Sequence, residues 1–156
     1  MTCLKKIYSI SENVIKVSLV VSLTIMPLPI ITEIRDVAHF LDLLKENPGQ
    51  FIVKFGAEWC APCKKIEKDV KYCFDRMPDT VQCAIIDIDE YLDVYAFLKT
   101  KKMVNGIPAI LCWNKGNLNY IPDDVVLGAD NEQLRLFFER RVQFANSCAG
   151  ANSITK

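Results

Sequence analysis

The stretch Phe51-Ile52-Val53-Lys54-Phe55-Gly56-Ala57-Glu58-Trp59-Cys60-Ala61-Pro62-Cys63-Lys64 decides how this chain reads. It opens on a near-continuous apolar run of strand length, the pattern of a strand buried on both faces of a parallel sheet. Gly56 ends the run. Pro62 falls where a helix would start, because the N–H that proline lacks is unpaired in a first turn anyway. Strand, tight turn and helix start thus bracket two cysteines. A thiol at a helix N-terminus meets unpaired N–H groups and the positive end of the helix dipole, which favour a negative charge. That raises its thiolate fraction, and thiolate is the nucleophile of disulfide exchange. Cys60 is therefore expected to attack a substrate disulfide. Cys63, one turn further in and more buried, is expected to resolve the mixed disulfide. Two packed thiols at chance spacing is the plain alternative.

Upstream, residues 30–34 read as a short strand. Val37, Phe40, Leu41 and Leu44 then recur at helical spacing until Asn47-Pro48-Gly49. Downstream, the helix begun at the cysteines runs to about Arg76 and ends at Met77-Pro78-Asp79. Residues 81–88 form a third core strand, 91–99 a helix, and Asn105-Gly106-Ile107-Pro108 a turn into a strand at 109–113. Asn114-Lys115-Gly116-Asn117 makes a hairpin turn. Residues 118–127 return as an edge strand broken by Pro122-Asp123-Asp124, and 131–144 form an amphipathic helix with Leu134, Phe137, Phe138 and Val142 on its apolar side. The order β-α-β-α-β-α-β-β-α predicts an α/β fold, a central mixed sheet flanked by helices on both faces. The domain is placed at residues 28–145, between an N-terminal extension, 1–27, and a flexible polar tail, 146–156.

With 156 residues, 51% of them apolar, the chain has material for one domain with a real core. Lys plus Arg and Asp plus Glu number 19 each, so charge balances, and no basic block marks a nucleic-acid partner. Seven cysteines are present: Cys3, Cys60, Cys63, Cys73, Cys83, Cys112 and Cys148. An odd number scattered through apolar segments suits reduced thiols in a reducing compartment, so a cytoplasmic location is expected. Cys73, Cys83, Cys112 and Cys148 read as small hydrophobes. His39 is the single histidine and there is no second C-x-x-C, so no metal site is expected.

The N-terminal stretch stays ambiguous. Lys5 and Lys6 precede an apolar run at 14–26, as in a signal peptide. The run is short for a membrane span of about 20 residues, Lys16 interrupts it, and no A-x-A-like cleavage site follows. Val17, Leu19, Val21, Leu23 and Ile25 alternate with a second set, the period of a half-buried strand. An added strand, a signal or anchor within residues 5–26, a loose tail, and translation beginning at Met26 are the open readings.

Residues 55–64 resemble the thioredoxin active-site signature almost position for position. The similarity continues through Asp87-Ile88-Asp89, Gly106-Ile107-Pro108, Lys115-Gly116 and Gly128-Ala129, and spans about residues 30–144. This resemblance implies the thioredoxin fold and a protein-disulfide oxidoreductase that reduces or isomerises disulfides through Cys60 and Cys63. It implies disulfide-containing protein substrates, a thioredoxin-reductase-type electron donor and no cofactor; a monomer without membrane or nucleic-acid partners is expected. It further implies a cis Ile107–Pro108 bond facing the cysteines, and peptide binding by Trp59, Ile107, Pro108 and Gly128.

Three departures stand out. Lys54, six residues before Cys60, occupies the place of the family's buried aspartate. Pointing inward, its amine would be pushed down by burial and act as a base, or stay charged and favour thiolates. Alternatively it snorkels to solvent. Lys68 replaces a helix proline, which removes a reason for a kink. The connection 117–127, with Asp123 and Asp124, is longer than usual and reads as a solvated loop. A binding module that uses the Ile107–Pro108 surface with little redox turnover is the alternative function.

Overall fold

The computed structural model describes residues 26–151. The apolar run at 14–26 lies outside them, save for Met26.

Helix α1, Val37–Glu46, starts where the Asp36 carboxylate accepts a hydrogen bond from the His39 N–H at 2.7 Å, the usual way a first turn finds an acceptor. Strand β1, Gln50–Gly56, follows, and all seven of its residues are buried. Then come α2, Ala61–Phe74, and β2, Val81–Asp87. Next are α3, Leu92–Thr100, and the hairpin partners β3, Ala109–Asn114, and β4, Asp124–Leu127. Helix α4, Asn131–Ala151, ends the described chain. The four strands lie in the order β2-β1-β3-β4, with β1 parallel to β2 and the other two pairings antiparallel.

The sheet's central strand explains the unbroken apolar run. Successive side chains of a strand point to opposite faces. Phe51, Val53 and Phe55 pack with Phe40 and Leu44 of α1 and Val94 and Leu98 of α3. Ile52 packs on the other face with Ile66 and Val70 of α2 and Leu134, Phe137 and Phe138 of α4. Burying each of these side chains contributes roughly 1.5–3 kcal/mol. Lys54 follows the alternation onto the Ile52 face and is the one charged residue in the strand.

Four sequence expectations change. Residues 30–34 form no strand: Ile31 alone bridges to β2, through Ile31 N–H to Cys83 O and Ile85 N–H to Ile31 O, both 2.9 Å. Ile34 then turns into the core with no exposed surface, and α1 begins at once. The edge strand is only four residues long, because 117–123 is folded on itself. Asn117 Nδ2 donates to Ile121 O and to Asp123 Oδ2, at 3.0 and 2.8 Å. That loop is no free solvated excursion either. Asp123 also accepts from the Asn114 N–H at 2.7 Å, and Asp124 pairs with Arg140 and Arg141 of α4. Finally, α4 passes Phe144 and continues to Ala151, since the small residues there include no proline to stop it. Lys68, exposed on α2, sits within an unbroken helix.

Candidate active site

β1 delivers the chain to the C-terminal edge of the sheet, and the turn 57–60 converts its direction into α2. Cys60 is the N-cap of α2, with extended φ −81° and ψ 99°. Its Sγ accepts a hydrogen bond from the Cys63 N–H at 3.2 Å. Pro62 lies in the first turn, so one of the orphan N–H groups is simply absent there. One turn of helix sets the two Cα atoms 5.2 Å apart, and the sulfurs form a disulfide. Both cysteines are buried, Cys60 with 4% and Cys63 with 3% of its surface exposed, so Cys63 is the more buried by only a small margin. Ala57, Ile88 and Ile107 complete one small apolar cluster with the two cysteines.

What separates the cysteines is the direction each faces. The Cys60 Sγ lies 3.8 Å from the Ile107 carbonyl oxygen, on the loop that carries the cis Ile107–Pro108 bond. Beside that loop, Ala61, Pro62, Lys65, Ile107, Pro108, Gly128 and Ala129 line an open and mainly apolar groove. Gly128 has φ +82°, a left-handed conformation that suits glycine, and its N–H donates to Pro108 O at 2.8 Å. Lys65 Nζ donates to Ala129 O across the groove at 3.3 Å. Trp59 stands at the edge of the site, 67% exposed rather than packed in the core. Its indole N–H donates to Asp89 Oδ2 at 2.7 Å, and the Asp89 N–H donates to Asp87 Oδ1 at 2.8 Å. The Asp87-Ile88-Asp89 motif thus orients the tryptophan, a role that the sequence reading did not assign.

Cys63 borders a different space, a cleft of about 230 Å³ whose lining includes Lys54, Gly56, Glu67 and Asp87. Lys54 points inward rather than to open solvent and is 6% exposed. Burial pushes its amine below the ordinary lysine value, and Glu67 pulls part of the way back. Cys73, Cys83 and Cys112 are buried in the core, not at the site. Burial pushes the Cys73 and Cys112 thiols up to about 12, and the Cys83 thiol higher.

An α/β sheet that presents a helix-capping disulfide beside a cis-proline loop defines a dithiol–disulfide exchange protein. The comparisons with known proteins agree. The Thioredoxin family model matches residues 31–140. The mitochondrial thioredoxin of Mus musculus is 26% identical over 131 residues, covering 77% of this chain and 75% of its own length. That of Bos taurus is 27% identical over 109 residues, covering 70% of this chain and 61% of its own. The structure of Trichomonas vaginalis thioredoxin superposes with a TM-score of 0.58 at 24% identity, covering 72% of this chain and 97% of that one. The chain belongs to the thioredoxin family, and the Cys60–Cys63 disulfide is its redox-active pair. Among the described residues no helix is long and apolar enough to cross a membrane.

Proposed function

We propose that this protein reduces disulfides of other proteins, with Cys60 as the attacking and Cys63 as the resolving thiol. One observation carries the assignment of roles. The Cys63 N–H points at the Cys60 sulfur from the first turn of α2, so negative charge on Cys60 meets a directed donor and the helix dipole. In the reduced protein the Cys60 thiolate attacks one sulfur of a substrate disulfide, and the other substrate sulfur leaves as a thiolate. Cys63, deprotonated, then attacks the Cys60 sulfur. This closes the Cys60–Cys63 bond and releases the second substrate thiolate, which takes up a proton. A thioredoxin-reductase-type protein or a small dithiol restores the two thiols with two electrons.

The groove fits an extended substrate segment beside the reacting sulfur. Ile107 O lies 3.8 Å from Cys60 Sγ, and the Pro108 carbonyl is tied to the Gly128 N–H. Trp59 offers an exposed aromatic face at the rim. The exposed thiol of Cys148 suits a reducing compartment such as the cytoplasm.

Turbidity from insulin reduction by dithiothreitol tests the reading. The protein is expected to accelerate precipitation of the insulin B chain, and Cys60→Ser to abolish the acceleration. A wild-type protein no faster than dithiothreitol alone would point instead to a binding module built on the Ile107–Pro108 surface.

A further inference from the structure

The cleft behind Cys63 contains a feature that the exchange steps above do not use. Lys54 enters it from the middle of β1, and Gly56 forms part of its wall. A Cβ on Gly56 would stand 3.4 Å from Cys63 Sγ and 3.8 Å from Lys54 Cε. The lysine stem and the resolving sulfur therefore border the same space, the one that a side chain on Gly56 would fill. Glu58 from the turn, Lys64 and Glu67 from α2 and Asp87 from β2 are the other charged groups around the cleft. None of the ion pairs among the described residues includes Lys54, and Glu67 is the charge that acts on it. Three carboxylates along the rim oppose a thiolate on Cys63, and Lys54 is the buried cation placed to offset them.

We propose that Lys54 sets the redox poise of the Cys60–Cys63 couple by stabilising the Cys63 thiolate in the reduced protein. In the oxidised protein the sulfurs are neutral, and a charged Lys54 is buried without an anion in contact. Reduction adds two electrons to the S–S bond, the bond breaks, and two sulfur anions appear that take up protons according to their pKa values. A Cys63 thiolate converts the isolated ammonium into an ion pair. Where burial has left the amine neutral, the Cys63 S–H passes its proton to Lys54 and the same ammonium–thiolate pair results. Both routes favour the reduced form alone, because a Cys63 thiolate able to pair with the Lys54 amine exists only there. A couple whose reduced form is stabilised is the more oxidising one. Lys54 is a positioning residue in this scheme: it acts on the reaction through Cys63.

The test uses the full chain and two neutral variants, Lys54→Met and Lys54→Gln, equilibrated in glutathione redox buffers with the dithiol fraction read by alkylation and mass spectrometry. Either variant is expected to shift the equilibrium about tenfold toward the disulfide, which corresponds to about 30 mV for a two-electron couple. The Cys63 thiolate absorbance in the ultraviolet is expected to appear at higher pH. A potential and a thiolate titration within twofold of the unsubstituted protein would overturn the proposal. Should both variants fail to fold, nuclear magnetic resonance of the Lys54 amine in the unsubstituted protein decides. Its pKa must rise on reduction, and an unchanged value refutes the ion pair. The inference rests on opening of the Cys60–Cys63 bond. Because the potential is read without a protein substrate, it stands or falls separately from insulin reduction.

Discussion

Replacing Asp124, the first residue of β4, with alanine should unfold this protein more readily than replacing Asp123 just before it. The Asp124 side chain is 12% exposed and accepts from Arg140 Nε at 2.8 Å and Nη2 at 2.9 Å. The Nε of Arg141 lies 3.1 Å from Asp124 Oδ2, close enough for an ion pair but not aligned for a directed hydrogen bond. Arg141 is 8% exposed, and its side-chain hydrogen bonds are long ones to Asn114 Oδ1 and Cys112 Sγ, at 3.4 and 3.7 Å. Removing one partner of a buried pair costs about 3–5 kcal/mol, because the other charge stays desolvated. Arg140 is 46% exposed, so water replaces its share at a cost of about 0–1 kcal/mol. The lower end of the first range, about 3 kcal/mol, is therefore expected for Asp124→Ala. Arg140→Ala should cost less than about 1 kcal/mol. Urea unfolding followed by fluorescence, with the same m-value for both variants, measures the difference. An Asp124→Ala loss no larger than that of Arg140→Ala would show that Arg141 does not depend on this carboxylate, and the argument would fail.

Brief iodoacetamide labelling of the reduced protein at neutral pH should modify Cys60 ahead of exposed Cys148 and well ahead of Cys73 and Cys112, whose thiols burial has pushed up to about 12; equal labelling of Cys60 and Cys73, read by mass spectrometry, would contradict the helix-cap assignment. Gly128→Ala should cost roughly 1–2 kcal/mol in thermal or urea unfolding, from its φ of +82° alone, since an added Cβ would meet nothing within 4 Å; a neutral substitution would mean that the backbone relaxes there. Stability should fall as pH rises above about 9, because the unfolded thiols ionise near 9.0 while Cys73 and Cys112 hold their protons to about 12 in the folded state. The folded state then binds more protons, so the contribution of these thiols is complete below 9.0 and is lost toward about 12. Lys54, whose pKa is lowered from 10.5, acts in the opposite sense as one group against three thiols. A urea midpoint that does not move between about pH 8 and pH 10, or a slope unchanged by Cys112→Ala, would rule this out.

Much of the site was legible because its signals are local. A buried parallel strand, a glycine turn, a proline suited to a first helical turn and two cysteines one turn apart all fall within residues 51–64. Short-range sterics and hydrogen bonding act over that span, and the observed N-cap at Cys60 follows from them. The three-residue motif at 87–89 was visible too, but not its use. A hydrogen bond between Trp59 and Asp89 joins positions 30 apart, and no local rule encodes it.

The reading failed where a segment's state depends on what it packs against. Residues 30–34 carry strand-like side chains, yet Ile34 turns into the core and only Ile31 meets β2. Asp123 and Asp124 look like loop residues in any sequence, and only the arrival of α4 beside β4 gives Asp124 its two arginines. The sequence by itself determined the fold class, the order of the elements and the redox pair, because apolar period, turn chemistry and a one-turn cysteine spacing are properties of neighbours along the chain. Tertiary structure alone decided how little the burial of Cys60 and Cys63 differs, that Trp59 stands out in solvent, and that Lys54 turns in toward the cleft that Cys63 borders. Burial and the charge a group meets are set by residues from distant parts of the chain, and those come together only when the sheet and its two layers of helices have closed.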